Sequence, residues 1–263
     1  MLLEQIKRDI LSAQSRPMSG GITGRNLRII DNGSGQLTLS GDILITLKVL
    51  DLTTSGVPRI QSLMKLSEQA IVSKLRGGAD GRANFYEYNS AKNSFTNKNY
   101  TYSLRYNFNY TAKVEQIPSL SYLAGNDFVL AVVDGIRSRF TDKFGRSHAH
   151  GGIAGNFDGG PATVIYSEWE KDYLVGVHEF FHVLGLSDLE DAGLENRLMY
   201  HIGRKGAVVN DNERATMNNF IMQDLRAMTK KTYSNPGNNM VNQLRTFLNN
   251  KSNGFQYNKA KFR

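Results

Sequence analysis

The run His178-Glu179-Phe180-Phe181-His182-Val183-Leu184-Gly185-Leu186-Ser187-Asp188 constrains the fold more than any other stretch of the chain. In an α-helix, positions i and i+4 lie one above the other on the same face. His178 and His182 can therefore aim two imidazoles at one point, with Glu179 standing beside them. A helix continued past His182 would carry the next residues away from that point. Gly185 tolerates positive φ and lets the chain leave the helix and turn back. Asp188, three residues on, can then bring a carboxylate oxygen to the same place. Three protein ligands with one position left for water are the donor set of a catalytic zinc. The plainer alternative is a buried amphipathic helix with two hydrogen-bonded histidines. With five histidines in 263 residues, a chance H-E-x-x-H is expected in fewer than about one chain in a hundred, which favours the metal.

The pattern H-E-x-x-H-x-x-G-x-x-D at residues 178–188 resembles the zinc signature of the metzincin metallopeptidases, in the variant that ends in aspartate, as in the snapalysin-like bacterial branch. The segment Asn196-Arg197-Leu198-Met199-Tyr200, whose methionine comes eleven residues after Asp188, is similar to the methionine-containing turn of that family. The resemblance covers about residues 125–228. It implies an α+β fold, an α/β sandwich with a mixed twisted sheet, a central zinc-binding helix, the Met-turn and a C-terminal helix. It also implies Zn2+ held by His178, His182 and Asp188, with Glu179 as the catalytic base. Where such enzymes carry a turn tyrosine that stabilises the transition state, it follows the methionine by two positions. Here that position is His201, and Tyr200 adjoins Met199; Tyr200 is the candidate and His201 the alternative.

At this length the chain can bury a full core as one domain, with or without an appendage. No run approaches 18 apolar residues, so no transmembrane helix is expected. Residues 1–7 lack the basic start and apolar run of a signal peptide. Absence of cysteine excludes disulfides, thiolate zinc ligands and a cysteine nucleophile. The net charge of +8 is uneven: residues 229–263 hold seven basic residues and no acidic one, whereas residues 1–228 hold 25 basic against 24 acidic. The end of the chain reads either as a basic extension for an acidic partner or as a solvated end with one packed helix. No aromatic–basic interleaving supports specific nucleic-acid binding.

The expected organisation is an N-terminal helix and linker over 1–36, a metallopeptidase domain over 37–228 and the basic extension over 229–263. Residues 2–12 carry a short helical stripe, and 15–36 read as Gly/Ser/Asn-rich linker broken only by Leu27–Ile30. Residues 42–52 read as the first core strand, and 59–76 as a helix stopped by Gly77-Gly78. Tyr100, Tyr102, Leu104, Tyr106, Phe108 and Tyr110 alternate with polar residues. That is a half-buried strand with an aromatic face, for core packing in preference to a carbohydrate platform. Residues 127–133 suit a sheet interior. The glycines of 151–160 precede a strand at 162–166, which argues against a phosphate loop. By resemblance, residues 152–155 lie at the sheet edge that pairs with an extended substrate. The zinc helix is expected over 171–184, a capped helix follows from Asn210 and Glu213, and a last helix includes Met240, Leu244, Phe247 and Leu248.

The chemistry expected is hydrolysis of peptide bonds by a metal-bound water that Glu179 deprotonates. Glu190, Asp191 and His201 compete with Asp188 by proximity in sequence; the offset from Gly185 favours Asp188. His148 and His150 form a separate His-x-His pair, read as loop histidines in preference to a second metal site. The function expected is a zinc-dependent endopeptidase acting on protein or peptide substrates. Delivery outside the producing cell as a secreted or injected bacterial effector or toxin, with an inhibitor or immunity protein as partner, is a further expectation. The alternatives are a zinc amidase acting on peptidoglycan peptides and a non-catalytic, zinc-stabilised binding module.

Overall fold

A computed structural model describes Glu4, Arg8 and residues 21–89, 94–125, 127–155, 159–200, 204–228 and 240–262. Its base is a hairpin of β1 (Ile22–Gly33) and β2 (Gln36–Asp51), closed by Gly33, Ser34 and Gly35 at φ 81°, 51° and 74°. Residues 22–33, read above as linker, are therefore a strand. Period two is hidden there because the register slips between Arg25 and Arg28, with Asn26 at φ 52°. Such a bulge puts two consecutive residues opposite one and breaks the alternation that marks a strand in sequence. Glu4 and Arg8 are helical; the rest of the expected N-terminal helix lies outside the described residues.

β2 is long enough to serve three neighbours. It pairs antiparallel with β1 over its first part, and parallel with β5 (Phe128–Val133) beyond it. Its other edge pairs parallel with β4 (Ser94–Ile117), which pairs antiparallel with β3 (Ala79–Asn89). β10 (Ala162–Ile165) lies parallel to β5, and β9 (Gly152–Ala154) closes that side antiparallel to β10. The result is one seven-stranded mixed sheet, in the order β3-β4-β2-β5-β10-β9 with β1 on β2. β4 has the expected aromatic face: Leu104, Tyr106, Phe108 and Tyr110 are buried, while Arg105, Asn107, Asn109 and Thr111 are exposed. From Leu104 to Tyr110 the stripe packs in the core and is not a surface platform.

Helices cover both faces. α1 (Ile60–Leu75), α2 (Tyr166–Lys171), α3 (Leu174–Val183) and α4 (Asp211–Met228) contribute to the larger core together with Leu47, Val49, Leu130 and Val132. α5 (Met240–Leu248) packs on the other face against Leu50, Val129, Ala131 and Val133. β5 thus feeds alternate residues to two cores, which explains its unbroken apolar run. The basic end of the chain is built in here. β11 (Phe255–Gln256) pairs with β6 (Gly135–Ile136), the Asn258 N–H bonds the Leu52 carbonyl, and Lys261 reaches Asp51 at 3.1 Å. The packed helix expected in residues 229–263 is found at Met240–Leu248. β7 (Arg139–Thr141) and β8 (Ser147–Ala149) form a small separate hairpin. No helix among the described residues is long and apolar enough to cross a membrane.

Candidate metal centre

α3 begins three residues later than the expected Lys171, because Asp172 interrupts the helical run. Asp172 is extended (φ −144°, ψ 102°), and its carboxylate accepts a hydrogen bond from the Leu174 N–H at 2.9 Å. An aspartate offered to the free N–H groups of a first turn is a start signal, not a mid-helix residue. From there Val177, Phe180 and Phe181 point into the core, Phe180 meeting Phe128 edge-on at 5.4 Å. His178, Glu179 and His182 are buried on the remaining face.

The end of α3 folds the chain back as the motif requires. Gly185, at φ 94°, donates to the His182 carbonyl at 2.9 Å, and Leu186 donates to the Phe181 carbonyl at 3.1 Å. This is the paired closure of a Schellman turn, which calls for glycine at the left-handed position. The turn presents the Leu186 carbonyl to Nδ1 of His182 at 2.7 Å. The Leu198 carbonyl meets Nδ1 of His178 at 2.9 Å in the same way. A carbonyl only accepts, so each ring holds its proton on Nδ1 and, when neutral, presents Nε2 as a bare lone pair.

Those two Nε2 atoms lie 3.1 Å apart, and Asp188 Oδ1 lies 3.1 Å from the first and 3.3 Å from the second. Three electron-pair donors this close repel one another unless a cation sits among them. Tetrahedral ligands at zinc distances of 2.0–2.1 Å stand about 3.3 Å apart, close to the triangle observed. His178, His182 and Asp188 could hold a metal ion, and among the described residues they are the group of this kind. Burial pushes the Asp188 carboxyl up, but the His178 and His182 rings outweigh it and hold the acid well below the usual carboxylate range. Burial pulls His182 down, and hydrogen bonding to Asp188 with the charge of Glu179 raises it overall. Glu179 is raised, chiefly by burial.

The triangle opens into a cleft of about 600 Å³, lined also by Glu179, β9, Phe140, His150, Tyr200 and Arg204, within the usual range for a ligand site. β9 is a sheet edge. The Gly155 N–H bonds the Pro161 carbonyl and the Ile165 N–H bonds the Gly151 carbonyl. Strand alternation then turns the N–H and C=O of Gly152 and Ala154 away from β10, along the free edge.

The five site residues singled out in the sequence meet here: the three candidate ligands form the triangle, Glu179 lines the cleft beside them, and Tyr200 lines it from the turn after Met199. The chain turns there, with the Tyr200 N–H on the Arg197 carbonyl at 3.2 Å and Met199 fully buried. His201 lies outside the described residues. The rival acids are engaged by Lys143: Glu190 accepts its backbone N–H at 3.0 Å and Asp191 its ammonium at 2.6 Å. His148 bonds Asp142 at 2.9 Å and stacks on Phe140, whose ring His150 also approaches at 5.0 Å. His148, read above as a loop residue, lies on β8, and His150 follows that strand and reaches the cleft. Gly152 was missed as a site residue in its own right: a Cβ there would lie 2.5 Å from Cγ of Glu179. Glycine inside a strand is the available signal for such close approach. Arg204, ion-paired with Asp172 at the cleft, carries no signal in the sequence. No protein-family model and no curated protein matches this chain.

Proposed function

We propose that this protein is a zinc-dependent endopeptidase with a metzincin-like arrangement, in which His178, His182 and Asp188 hold the ion. The observation that carries the reading is the position of Glu179. A metal that only held the fold together would need no carboxylate beside it, yet Glu179 lines the cleft next to the ligand triangle and under a free strand edge. Zinc, when bound in such a site, supplies Lewis acidity that polarises a carbonyl and acidifies a water. The chain's own groups do the rest. The outward N–H and C=O groups of Gly152 and Ala154 bind an extended peptide as an added strand and lay its backbone across the cleft. Glu179 takes a proton from the attacking water and delivers it to the leaving amine as the C–N bond breaks. The Tyr200 hydroxyl donates to the oxyanion that forms. Action on protein or peptide substrates outside the producing cell belongs to the same reading and rests on the likeness of the motif.

The test is casein hydrolysis by the wild type and Glu179→Gln, with bound metal measured in both. About one zinc in each protein, and cleavage by the wild type alone, is the expected result. Zinc in both with no cleavage of casein, but release of peptides from peptidoglycan, would replace this reading with the amidase. Failure of the wild type to retain zinc would remove the basis of either.

A further inference from the structure

We infer that the ion pair Arg197–Glu213 is a positioning device for the metal centre, holding the 197–200 turn so that the Leu198 carbonyl meets His178. The inference rests on the reading of His178, His182 and Asp188 as metal ligands. Arg197 Nη2 lies 2.7 Å from Glu213 Oε2, and both side chains are largely buried, at 15% and 11% exposure. Arg197 Nε and Glu213 Oε1 are buried without a hydrogen-bond partner. A pair present only for stability would avoid that cost, since ion pairs taken out of water often gain little over apolar residues of the same size. What such a pair does supply is a fixed geometry between the two elements that carry it.

Those elements are the start of α4 and the turn. The carboxylate of Glu213 is held at the helix start by a reciprocal cap. Its Oε2 accepts the Asn210 N–H at 2.9 Å, and Asn210 Oδ1 accepts the Glu213 N–H at 2.9 Å. The guanidinium it grips belongs to the residue immediately before Leu198. The Leu198 N–H bonds the Val208 carbonyl at 2.9 Å, and the Leu198 carbonyl takes the Nδ1 proton of His178. The neighbouring carbonyls serve the same centre. That of Arg197 holds the Tyr200 N–H, and that of Met199 holds the N–H of Leu189, the residue after Asp188. A shift of this turn therefore reaches two ligands and the cleft tyrosine together, although Arg197 lines no part of the cleft.

Zinc affinity of the full chain, measured by chelator competition, tests this, with the visible spectrum of the Co2+-loaded protein as a report on ligand geometry. Arg197→Met and Glu213→Gln should each bind zinc roughly 10-fold more weakly, as loss of a group that orients a ligand typically does. The double variant should lose no more than either single one, and Arg197→Lys should recover part of the loss. The cobalt bands should shift in both single variants. A pair that merely stabilises the fold would lower the melting temperature and leave zinc affinity and the cobalt bands unchanged; that result overturns the inference. Glu213→Gln keeps an acceptor for the Asn210 N–H, so it decides the matter if Arg197→Met does not fold. Absence of zinc binding in the wild type would instead remove the site on which the inference depends.

Discussion

Gly152→Ala changes one methyl group and isolates the position of Glu179. An ideal Cβ at residue 152 would lie 2.5 Å from Glu179 Cγ, 2.9 Å from its Cδ and 2.5 Å from the Thr163 carbonyl oxygen. Ordinary carbon–carbon contact begins near about 3.5 Å. The carbonyl cannot retreat, because β10 is clamped between β9 and β5. Residue 152 must therefore lift away from β10, and it and Glu179 must part by roughly 1 Å; misplacement of a reacting group by that much costs about 10²-fold in turnover. Overpacking should also cost about 1–3 kcal/mol of stability. Zinc content should not change, since the two histidine rings are held by the Leu186 and Leu198 carbonyls, not by Gly152. Gly151→Ala is the control: its nearest neighbour is the Val175 Cγ1 methyl at 3.1 Å, a side-chain atom able to move. The assay is turnover of an internally quenched peptide, with bound zinc and a thermal melt measured on the same samples. Turnover by Gly152→Ala equal to that of the wild type would refute the role given to Glu179. Loss of zinc along with turnover would show that the strain reaches the ligands and would refute the separation of base from metal site.

Other expectations follow from the same geometry. Asp188→Asn removes the anionic ligand and should weaken zinc binding by more than the roughly 10–100-fold typical of losing a ligand's outer partner; isothermal titration checks it. Saturating zinc should raise the melting temperature of the wild type, with about 4 kcal/mol gained at 1,000 times Kd, and chelation should reverse it. Burial holds the phenols of Tyr106 and Tyr110 well above their ordinary pKa. They stay neutral when folded and ionise near pH 10 when unfolded, so their contribution to stability is constant below about pH 10 and falls as pH rises past it. Tyr110→Phe should flatten part of that fall. It should also cost about 1–3 kcal/mol at neutral pH by leaving the buried side-chain Oδ1 of Asn218 without its donor; urea unfolding across the alkaline range measures both effects. Leu244→Ala, in the second core, should cost about 2–5 kcal/mol. A loss near zero in chemical denaturation would mean that the C-terminal segment is a detachable appendage after all.

Much of the site was legible because its parts are local. The i, i+4 histidines, the glycine at the helix end and the aspartate three residues later all act within one helix and one turn, and backbone geometry alone brings them together. The Asn210/Glu213 cap and the aromatic alternation of β4 were readable for the same reason. The sequence misled wherever a local rule met an irregularity. The bulge near Asn26 hid β1 within an apparent linker, and Asp172 moved the start of the helix expected from Lys171 to Leu174.

Local spacing by itself therefore determined the candidate donor set, the turn that closes it and the carboxylate beside it, since each depends on a backbone period and on side-chain chemistry. Only the tertiary structure decided what surrounds them. The Leu198 carbonyl that orients His178, the missing side chain of Gly152 against Glu179 and the free edge of β9 come from distant segments or from strand order. So does the packing of the charged C-terminal segment onto the second face of the sheet, where Met240, Leu244 and Leu248 are buried while their basic neighbours remain at the surface. Charge counts report composition, whereas burial depends on which apolar face another element leaves uncovered, and that is settled when the chain folds.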